Sequence, residues 1–327
     1  MKYVDRIYGE FEISEPVVLE IINSPEMQRL KGVDQVGFFE PHFPGTRHYR
    51  FEHSLGVYLL LKKYDAPIEE QIAGLIHDVS HLVFSHVADY YFSIGSQEKQ
   101  SHQDNSFGDY VRNSNLPKIL EKYDFDLEYI LNDKNFPLKE NNIPDICADR
   151  IDYSLREAVI YKIGNEEDVK YFLEKLKVEN GQWIFSDFES AQKFAEYFKI
   201  LNEKHYCGIP SALMFKTTGE YMKYAFGKKY IFPNDLNKTD DEVLEKISKY
   251  LKEDIKLQKL FDRMNNKIEF KNDPDDFEER IVCKSRVVDP LCHHDGKIMR
   301  VSEINLDWKT VIEEEMKPKE YFLKFLE

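Results

Sequence analysis

The stretch AGLIHDVSHLVFSH, residues Ala73 to His86, sets three histidines and an aspartate into an otherwise apolar run. It closes a pattern in which Ile68, Ile72, Leu75, Ile76 and Val79 fall at i, i+4, i+7, i+8 and i+11. That spacing predicts a helix, restarted after Asp65-Ala66-Pro67, with one buried face. His77 and His81, four residues apart, would share a face of it, and Asp78 can turn toward the same cavity. A helix C-terminus favours a single His electrostatically. It does not call for His77, His81, His86 and Asp89 within some three turns, a density of titratable groups that a core does not need.

Working outward, Arg50-Phe51-Glu52-His53 opens an apolar run to Tyr64 that predicts a largely buried helix. A second helix is expected from Pro144 to about Tyr161. Its apolar face is Cys147, Ile151, Leu155 and Ala158, and beside it Asp149, Asp152, Tyr153 and Arg156 form a polar ladder. Taken alone, that ladder reads as a solvated face with an Asp–Arg pair worth about half a kcal/mol. Ser24-Pro25-Glu26 starts a short helix to about Leu30. Residues 37–49, with Pro41, Pro44 and Gly45, read as a loop. Residues 95–103 read as a second loop, closed by Ser101-x-x-Asp104, a variant of the capping box. Asn180-Gly181 predicts a two-residue hairpin turn, and helical patterns follow over Phe188 to Leu201 and over Val243, Ile247 and Leu251. After Ile268 come β-type runs at 281–283 and 286–288, a turn at Asp295-Gly296, and a last helical stretch from Trp308 to Leu326. The expected fold is mainly α: a helical core over residues 1–165, then a helical extension over 166–327 with a hairpin and a small α+β C-terminal region. No Pro/Gly/Ser linker marks the boundary, so it is soft.

The 327 residues are 42% apolar and 14% aromatic, which excludes a disordered chain. Sixty acidic against 45 basic side chains leave a formal charge of −15. A broad cationic surface for nucleic acid or an anionic membrane is therefore not expected, and a phosphate-bearing partner should be small and held in a local pocket. Cys147, Cys207, Cys283 and Cys292 form no CxxC pair, which fits a reducing compartment. Met1 to Ser14 lacks the apolar segment of a signal peptide, and no apolar run could span a bilayer, so a cytoplasmic location is expected. Cys292-His293-His294 lacks partners at zinc-finger spacing and reads as part of a turn.

The order His53, His77-Asp78, Asp149, carried by RLKGVDQVGF (29–38), RFEHSLGV (50–57), AGLIHDVSHLVFSH (73–86) and ADRIDYSLREA (148–158), resembles the HD-domain metal-dependent phosphohydrolases. Within them it looks like the deoxynucleoside triphosphate triphosphohydrolases of the SAM-and-HD-domain type and their bacterial relatives, over about Asp5 to Ala158 and more weakly to about Ala225. The resemblance implies an HD helical bundle with His53, His77, Asp78 and Asp149 as ligands of a divalent transition metal. Two imidazoles and two carboxylates suit iron, manganese, nickel, cobalt or zinc and not calcium, with magnesium as a companion ion on the substrate phosphates. It implies that Arg50, His86 and Arg150 contact the phosphates, Arg150 standing where relatives often carry Lys. His81, Asp89 and His102 match the acid/base positions near the scissile bond, with His86 beside them and Asp89 orienting His102. Tyr153 and Tyr206 would pack against a ribose, and Gln35 would read its 3′ side.

Three departures qualify these expectations. Phe198, beside Lys199, stands where the vertebrate enzyme has a further phosphate-binding Arg. Ser24 and Lys31 replace the Asp and Arg that hold its guanine activator, and the chain stops short of its regulatory lobe, so activation by guanine nucleotide is not implied. The expected activity is hydrolysis of a deoxynucleoside triphosphate to nucleoside and triphosphate, by a protein that could self-associate. The alternatives are a nucleotide phosphatase or phosphodiesterase and, in another class, a non-catalytic HD regulator; such regulators usually lose ligands, and this chain keeps all four.

Overall fold

The computed structural model describes residues 1–91 and 102–326, the side chains of 102–105 apart. An antiparallel hairpin, β1 (Lys2–Asp5) and β2 (Gly9–Glu12), opens the chain; the mixed charged and apolar N-terminus did not predict it. Then come α1 (Pro16–Ile22) and α2 (Pro25–Arg29), the latter capped by Ser24, whose hydroxyl accepts the Met27 N–H at 3.3 Å.

The core of the molecule is α3 (Arg50–Lys63), packed on α4 (Ile68–Ile76) and on a later helix, α9 (Ala148–Ile160). Between them lie α5 (Ala88–Tyr91), α6 (His102–Arg112), α7 (Leu116–Lys122) and α8 (Leu127–Ile130). Gly56 lets α3 and α9 meet. A Cβ there would lie 2.0 Å from Asp152 Oδ1 and 2.2 Å from Arg156 Nη2, closer than any side chain tolerates.

Three local expectations change here. α4 ends at Ile76, so His77 is its C-cap and residues 77–80 form turns. His77 and His81 thus do not share one helix face; each approaches Asp78 Oδ1, at 3.4 and 3.3 Å, across a turn. α9 begins at Ala148 and not at Pro144, because the backbone of 144–148 bonds elsewhere: the Ala148 N–H donates to Leu138 O at 2.7 Å, and Pro144 O accepts from the Asp289 N–H at 2.8 Å. The polar ladder of α9 is not a solvated face. Asp152 and Arg156 are buried, and Arg156 reaches both Asp152 and Asp5, each at 3.0 Å.

The second half continues with α10 (Glu166–Lys175), β3 (Leu176–Glu179) and β4 (Gln182–Phe185). Asn180 and Gly181 link the strands with φ of 52° and 72°, the two positive values that a type I′ turn needs. After α11 (Phe188–Leu201), a π-helical segment at Asn202–Tyr206 leads into α12 (Ile209–Gly227), α13 (Asp240–Ser248) and α14 (Ile255–Met264). The C-terminal region holds β5 (Phe270–Asn272), β6 (Glu279–Cys283), β7 (Leu291–His294), β8 (Lys297–Arg300), α15 (Val301–Ile304), α16 (Leu306–Glu315) and β9 (Lys319–Phe325).

Two small sheets result, ordered β3-β4-β7-β8 and β5-β9-β6, with β4 and β7 parallel. Asp295 and Gly296 form a second turn with positive φ, 48° and 75°. Cys292, His293 and His294 belong to β7 and not to a turn, and His293 meets Glu179 at 2.9 Å. Residues 286–288 form no strand: Val287 and Val288 are buried, and the Arg286 N–H is given to Asn202. Nor is the chain helical to Leu326. Pro318 cannot extend α16, and β9 inserts between β5 and β6 with Leu323 and Phe325 buried on alternate positions. One apolar core takes Leu60 and Ile151 together with Phe194, Val287 and Trp308. All four cysteines are buried free thiols.

Candidate metal centre and substrate cavity

α3, the C-cap of α4 and the first turn of α9 aim His53, His77 and Asp149 at one point. His53 Nε2 lies 3.2 Å from His77 Nε2 and 2.9 Å from Asp149 Oδ1, and His77 Nε2 lies 3.5 Å from that oxygen. The far nitrogens are spoken for. His53 Nδ1 donates to Asp152 Oδ2 at 2.8 Å and His77 Nδ1 to Gly74 O at 2.7 Å. A carboxylate and a carbonyl only accept, so both Nδ1 atoms carry protons and the two Nε2 lone pairs face each other. Such an arrangement needs a positive charge between them. Burial lowers the His53 pKa, but the hydrogen bonds to Asp149 and Asp152 outweigh it and lift the value to about 10. A divalent cation would displace that extra proton and satisfy the same donors. The residues present therefore fit a metal of the kind that imidazole and carboxylate favour.

Asp78, the fourth expected ligand, stands at the edge of this cluster. Its Oδ1 is 3.4 Å from His77 Nε2 and 3.3 Å from His81 Nε2, its Oδ2 is 3.8 Å from His53 Nε2, and Arg50 Nη1 donates to Oδ2 at 2.5 Å. Burial would raise its pKa, yet Arg50, His77 and His81 hold it well below the usual carboxylate range. Burial and the Arg50 charge push His81 down to about 4, and burial with Arg50, His81 and Arg286 pushes His86 well below its ordinary value. In both, burial and the neighbouring cations favour the neutral imidazole over the protonated one.

The cluster opens into a cavity of about 590 Å³. Gln35, Arg50, His81, His86, Arg150, Tyr153 and Tyr206, all singled out from the sequence, line it. Most of the Arg50 fork is already engaged: besides Asp78, it donates to Ser85 Oγ at 2.6 Å and Gln35 O at 2.7 Å. Arg150 is held by Glu140 at 3.1 Å, with Asp145 O and Cys147 Sγ on its other nitrogen at 3.2 and 3.0 Å. Tyr153 and Tyr206 meet edge to face at 5.8 Å, and buried Phe198 packs against both. Gln35 Oε1 on this wall is buried without a hydrogen-bond partner, while Tyr206 and Glu157 meet there side chain to side chain. Asp89 is buried in α5 and is not among the residues that line the cavity. The His102 side chain lies outside the described residues, as do Ser101 and most of the loop expected at 95–103.

Glu157 was passed over, although it lies two turns beyond Asp149 on the face of α9 that carries Tyr153; its spacing was a usable signal. Lys284 and Arg286, also on the wall, lie more than 100 residues beyond the motifs, and nothing in their local sequence announces them.

The HD domain family matches residues 50–156. Over 310 residues, 93% of this chain and 92% of the relative, the sequence is 34% identical to the uncharacterized protein YdhJ of Bacillus subtilis. The metal-dependent phosphohydrolase cns2 of Cordyceps militaris is 36% identical over 53% of this chain and 49% of its own length. The deoxynucleoside triphosphate triphosphohydrolase SAMHD1 of Bos taurus is 29% identical over 62% and 39%. The chain thus spans about half or less of the latter two proteins. A crystal structure of a hypothetical protein from Aquifex aeolicus shares the fold, with a TM-score of 0.73 at 19% identity over 100% of this chain and 96% of that one. With the motif histidines and aspartates drawn onto one cavity, the chain belongs to the HD-domain metal-dependent phosphohydrolases.

Proposed function

We propose that the chain hydrolyses the phosphate group of a nucleotide, first among them deoxynucleoside triphosphates, releasing deoxynucleoside and triphosphate. The observation that supports this reading is the shared cavity: His77, Asp78 and Asp149 line the same volume as Gln35, Tyr153, Glu157 and Tyr206. Metal-ligand chemistry beside polar and aromatic side chains suits a nucleotide better than a bare phosphoester. The 29% identity with bovine SAMHD1 points the same way.

His53, His77, Asp78 and Asp149 would hold the cation, which when bound supplies Lewis acidity toward a phosphoryl oxygen and acidifies water. Arg50 fixes Asp78 and, with His86 and Arg150, presents positive charge and N–H donors to the phosphates. His81, beside Asp78 Oδ1 at 3.3 Å, is the nearest imidazole to the cluster for acid/base work at the scissile bond; His102 and Asp89 are proposed to assist it. The edge-to-face pair Tyr153 and Tyr206 flanks the sugar, whose hydroxyls meet Gln35 and Glu157.

One observation favours a second reading, a phosphatase or phosphodiesterase on shorter phosphoesters. Phe198 is buried among aromatic rings, and neighbouring Lys199 pairs with Glu203 at 2.5 Å, so α11 adds no cation to the phosphate wall. Ion-exchange separation of the products from each deoxynucleoside triphosphate tests the choice. Nucleoside with intact triphosphate supports the lead reading; stepwise release of single phosphates, or turnover of monophosphates alone, refutes it in favour of the second.

A further inference from the structure

Arg50, Lys139 and Arg150 line the cavity, and each has a carboxylate on it. The pairs differ in what the carboxylate loses on release. The Arg50 and Asp78 side chains are 2% and 5% exposed, so neither can leave the other without stranding a buried charge. Arg150 keeps Asp145 O and Cys147 Sγ besides Glu140. Lys139 and Asp133, 2.5 Å apart, are unlike: the Lys139 side chain is 6% exposed and that of Asp133 is 59% exposed. A buried ammonium needs an anion, whereas an exposed carboxylate is solvated by water and gains little from the contact. Both residues line the cavity.

The backbone of Lys139 is fixed from two sides. Its N–H and that of Leu138 donate to the buried Glu70 Oε1 of α4 at 2.9 and 2.7 Å. Leu138 O accepts the Ala148 N–H at 2.7 Å and the Trp183 indole N–H at 2.9 Å, and Lys139 O accepts the Asp149 N–H at 3.4 Å. Lys139 is thereby tied to the backbone of a candidate metal ligand, while Asp133 opens a single 3-10 turn, Asp133–Asn135, with its carboxylate in solvent.

We propose that Lys139 is a further substrate-binding residue, which exchanges the Asp133 carboxylate for a phosphate oxygen of the substrate when a nucleoside polyphosphate enters the cavity. The inference rests on the nucleotide reading above and adds a cation to Arg50, His86 and Arg150. The exchange conserves charge: Lys139 has an anion before and after it, and Asp133 passes into water. An ammonium suits this role, since it is a compact charge with three rotatable donors and no planar fork to realign. Asp133 then has two effects. It satisfies Lys139 without substrate, and it competes with any anion that approaches, so only a ligand with a strong anion of its own displaces it.

The test is calorimetric titration of the metal-loaded full chain with inorganic tripolyphosphate at fixed ionic strength, because the two partners should act in opposite directions. Lys139→Met keeps an apolar stem and removes the charge; it should weaken tripolyphosphate about tenfold, the size of one charge-assisted contact. Asp133→Asn removes the competitor and should tighten tripolyphosphate about threefold. In the Lys139→Met background that tightening should vanish, which separates exchange at Lys139 from the general field of a lost negative charge. Lys139→Arg should recover most of the affinity, and melting curves with zinc-chelator competition check the fold and the metal centre of each variant. Four results each overturn the exchange: no binding of tripolyphosphate by the wild type, unchanged affinity in folded Lys139→Met, weaker or unchanged binding in Asp133→Asn, or the same gain from Asp133→Asn with and without Lys139. If Lys139→Met fails to fold or to bind metal, Asp133→Asn decides alone. If the pattern holds yet the protein turns over no nucleotide, the functional reading fails and the exchange stands. If it cleaves nucleotides and the pattern is absent, the exchange alone fails.

Discussion

Replacing Asp152 with Asn separates what this residue does for the metal centre from what it does for the core. Its carboxylate is wholly buried and serves two neighbours: it accepts from His53 Nδ1 at 2.8 Å and pairs with Arg156 through Nε at 3.1 Å and Nη2 at 3.0 Å. An amide oxygen can still accept from His53, but without the charge that makes the imidazole a strong ligand. Loss of such a supporting partner weakens metal binding about 10–100-fold, or about 1.4–2.8 kcal/mol. Arg156 keeps Asp5 at 3.0 Å, so the lost ion pair should cost near the lower end of the range for breaking a buried pair, about 3 kcal/mol. Asp5→Asn is the control. It takes a carboxylate from Arg156 but touches neither His53 nor the cavity, so stability should fall by a similar amount while metal affinity stays within about twofold. Competition with a fluorescent zinc chelator reads the affinity, and urea unfolding of the metal-free proteins reads the stability. If Asp152→Asn binds zinc as tightly as the wild type, or if Asp5→Asn weakens it equally, Asp152 does not orient His53 as argued.

Gly56→Ala forces a methyl group within 2.0 Å of the Asp152 carboxylate; a destabilisation of about 1–3 kcal/mol or more is expected, and an unchanged Tm would show that α3 and α9 are farther apart in solution. Chelation should lower the Tm, since a ligand at 100 times its Kd contributes about 2.7 kcal/mol; identical melts with and without chelator would refute the metal centre. Arg150→Ala should depress kcat/KM on the preferred nucleotide by roughly 10², and wild-type kinetics would place the phosphates elsewhere. Burial and neighbouring Asp34 raise the Asp240 pKa to about 8, against the backbone N–H groups of Asp34 and Phe84 that lower it. The folded state then holds a proton that the unfolded chain has lost above its ordinary carboxyl pKa. Its contribution is full below about pH 4 and declines by up to about 1.4 kcal/mol per pH unit toward pH 8. Urea titrations from pH 5 to 9 should show this decline in the wild type and lose it in Asp240→Asn; parallel profiles would contradict the assignment.

The two hairpin turns were legible because Asn-Gly and Asp-Gly are what a turn with two positive φ angles needs, a requirement met within two residues. The helices α3, α4 and α11 were legible from apolar spacing. Their ends were less so: α9 starts after Pro144 because Pro144 O and the Ala148 N–H bond to distant backbone, while α4 gives way at His77 to local turns whose carbonyls Val79 O and His81 O are taken by Arg29. The β9 strand was hidden for a similar reason. Tyr321 to Phe325 satisfy either a short helical pattern or a strand, and the choice is made by β5 and β6, which begin some 50 and 40 residues earlier.

At the site, the resemblance of four short motifs to a known family picked out His53, His77 and Asp149 by position, and packing brings those three together. The partners of those residues were not accessible that way. Asp152 and Arg156 looked like a solvated pair at helical spacing; burial against Gly56 and Asp5 makes them part of the metal centre's support. Arg50 and Arg150 were recognisable as cations beside the motif histidines and aspartates, yet only packing shows Asp78 and Glu140 already on them. Lys284 and Arg286 carry no local signal, and their place on the cavity wall comes from Asn202 gripping the backbone between two strands. Sequence by itself therefore determined the helical core, through local periodicity, and, through the motifs' resemblance to a known family, the family and the candidate ligands. Tertiary structure decided which charges are neutralised, which polar atoms are left for a ligand and which distant cations complete the cavity, because each of those depends on distances between segments that no local pattern encodes.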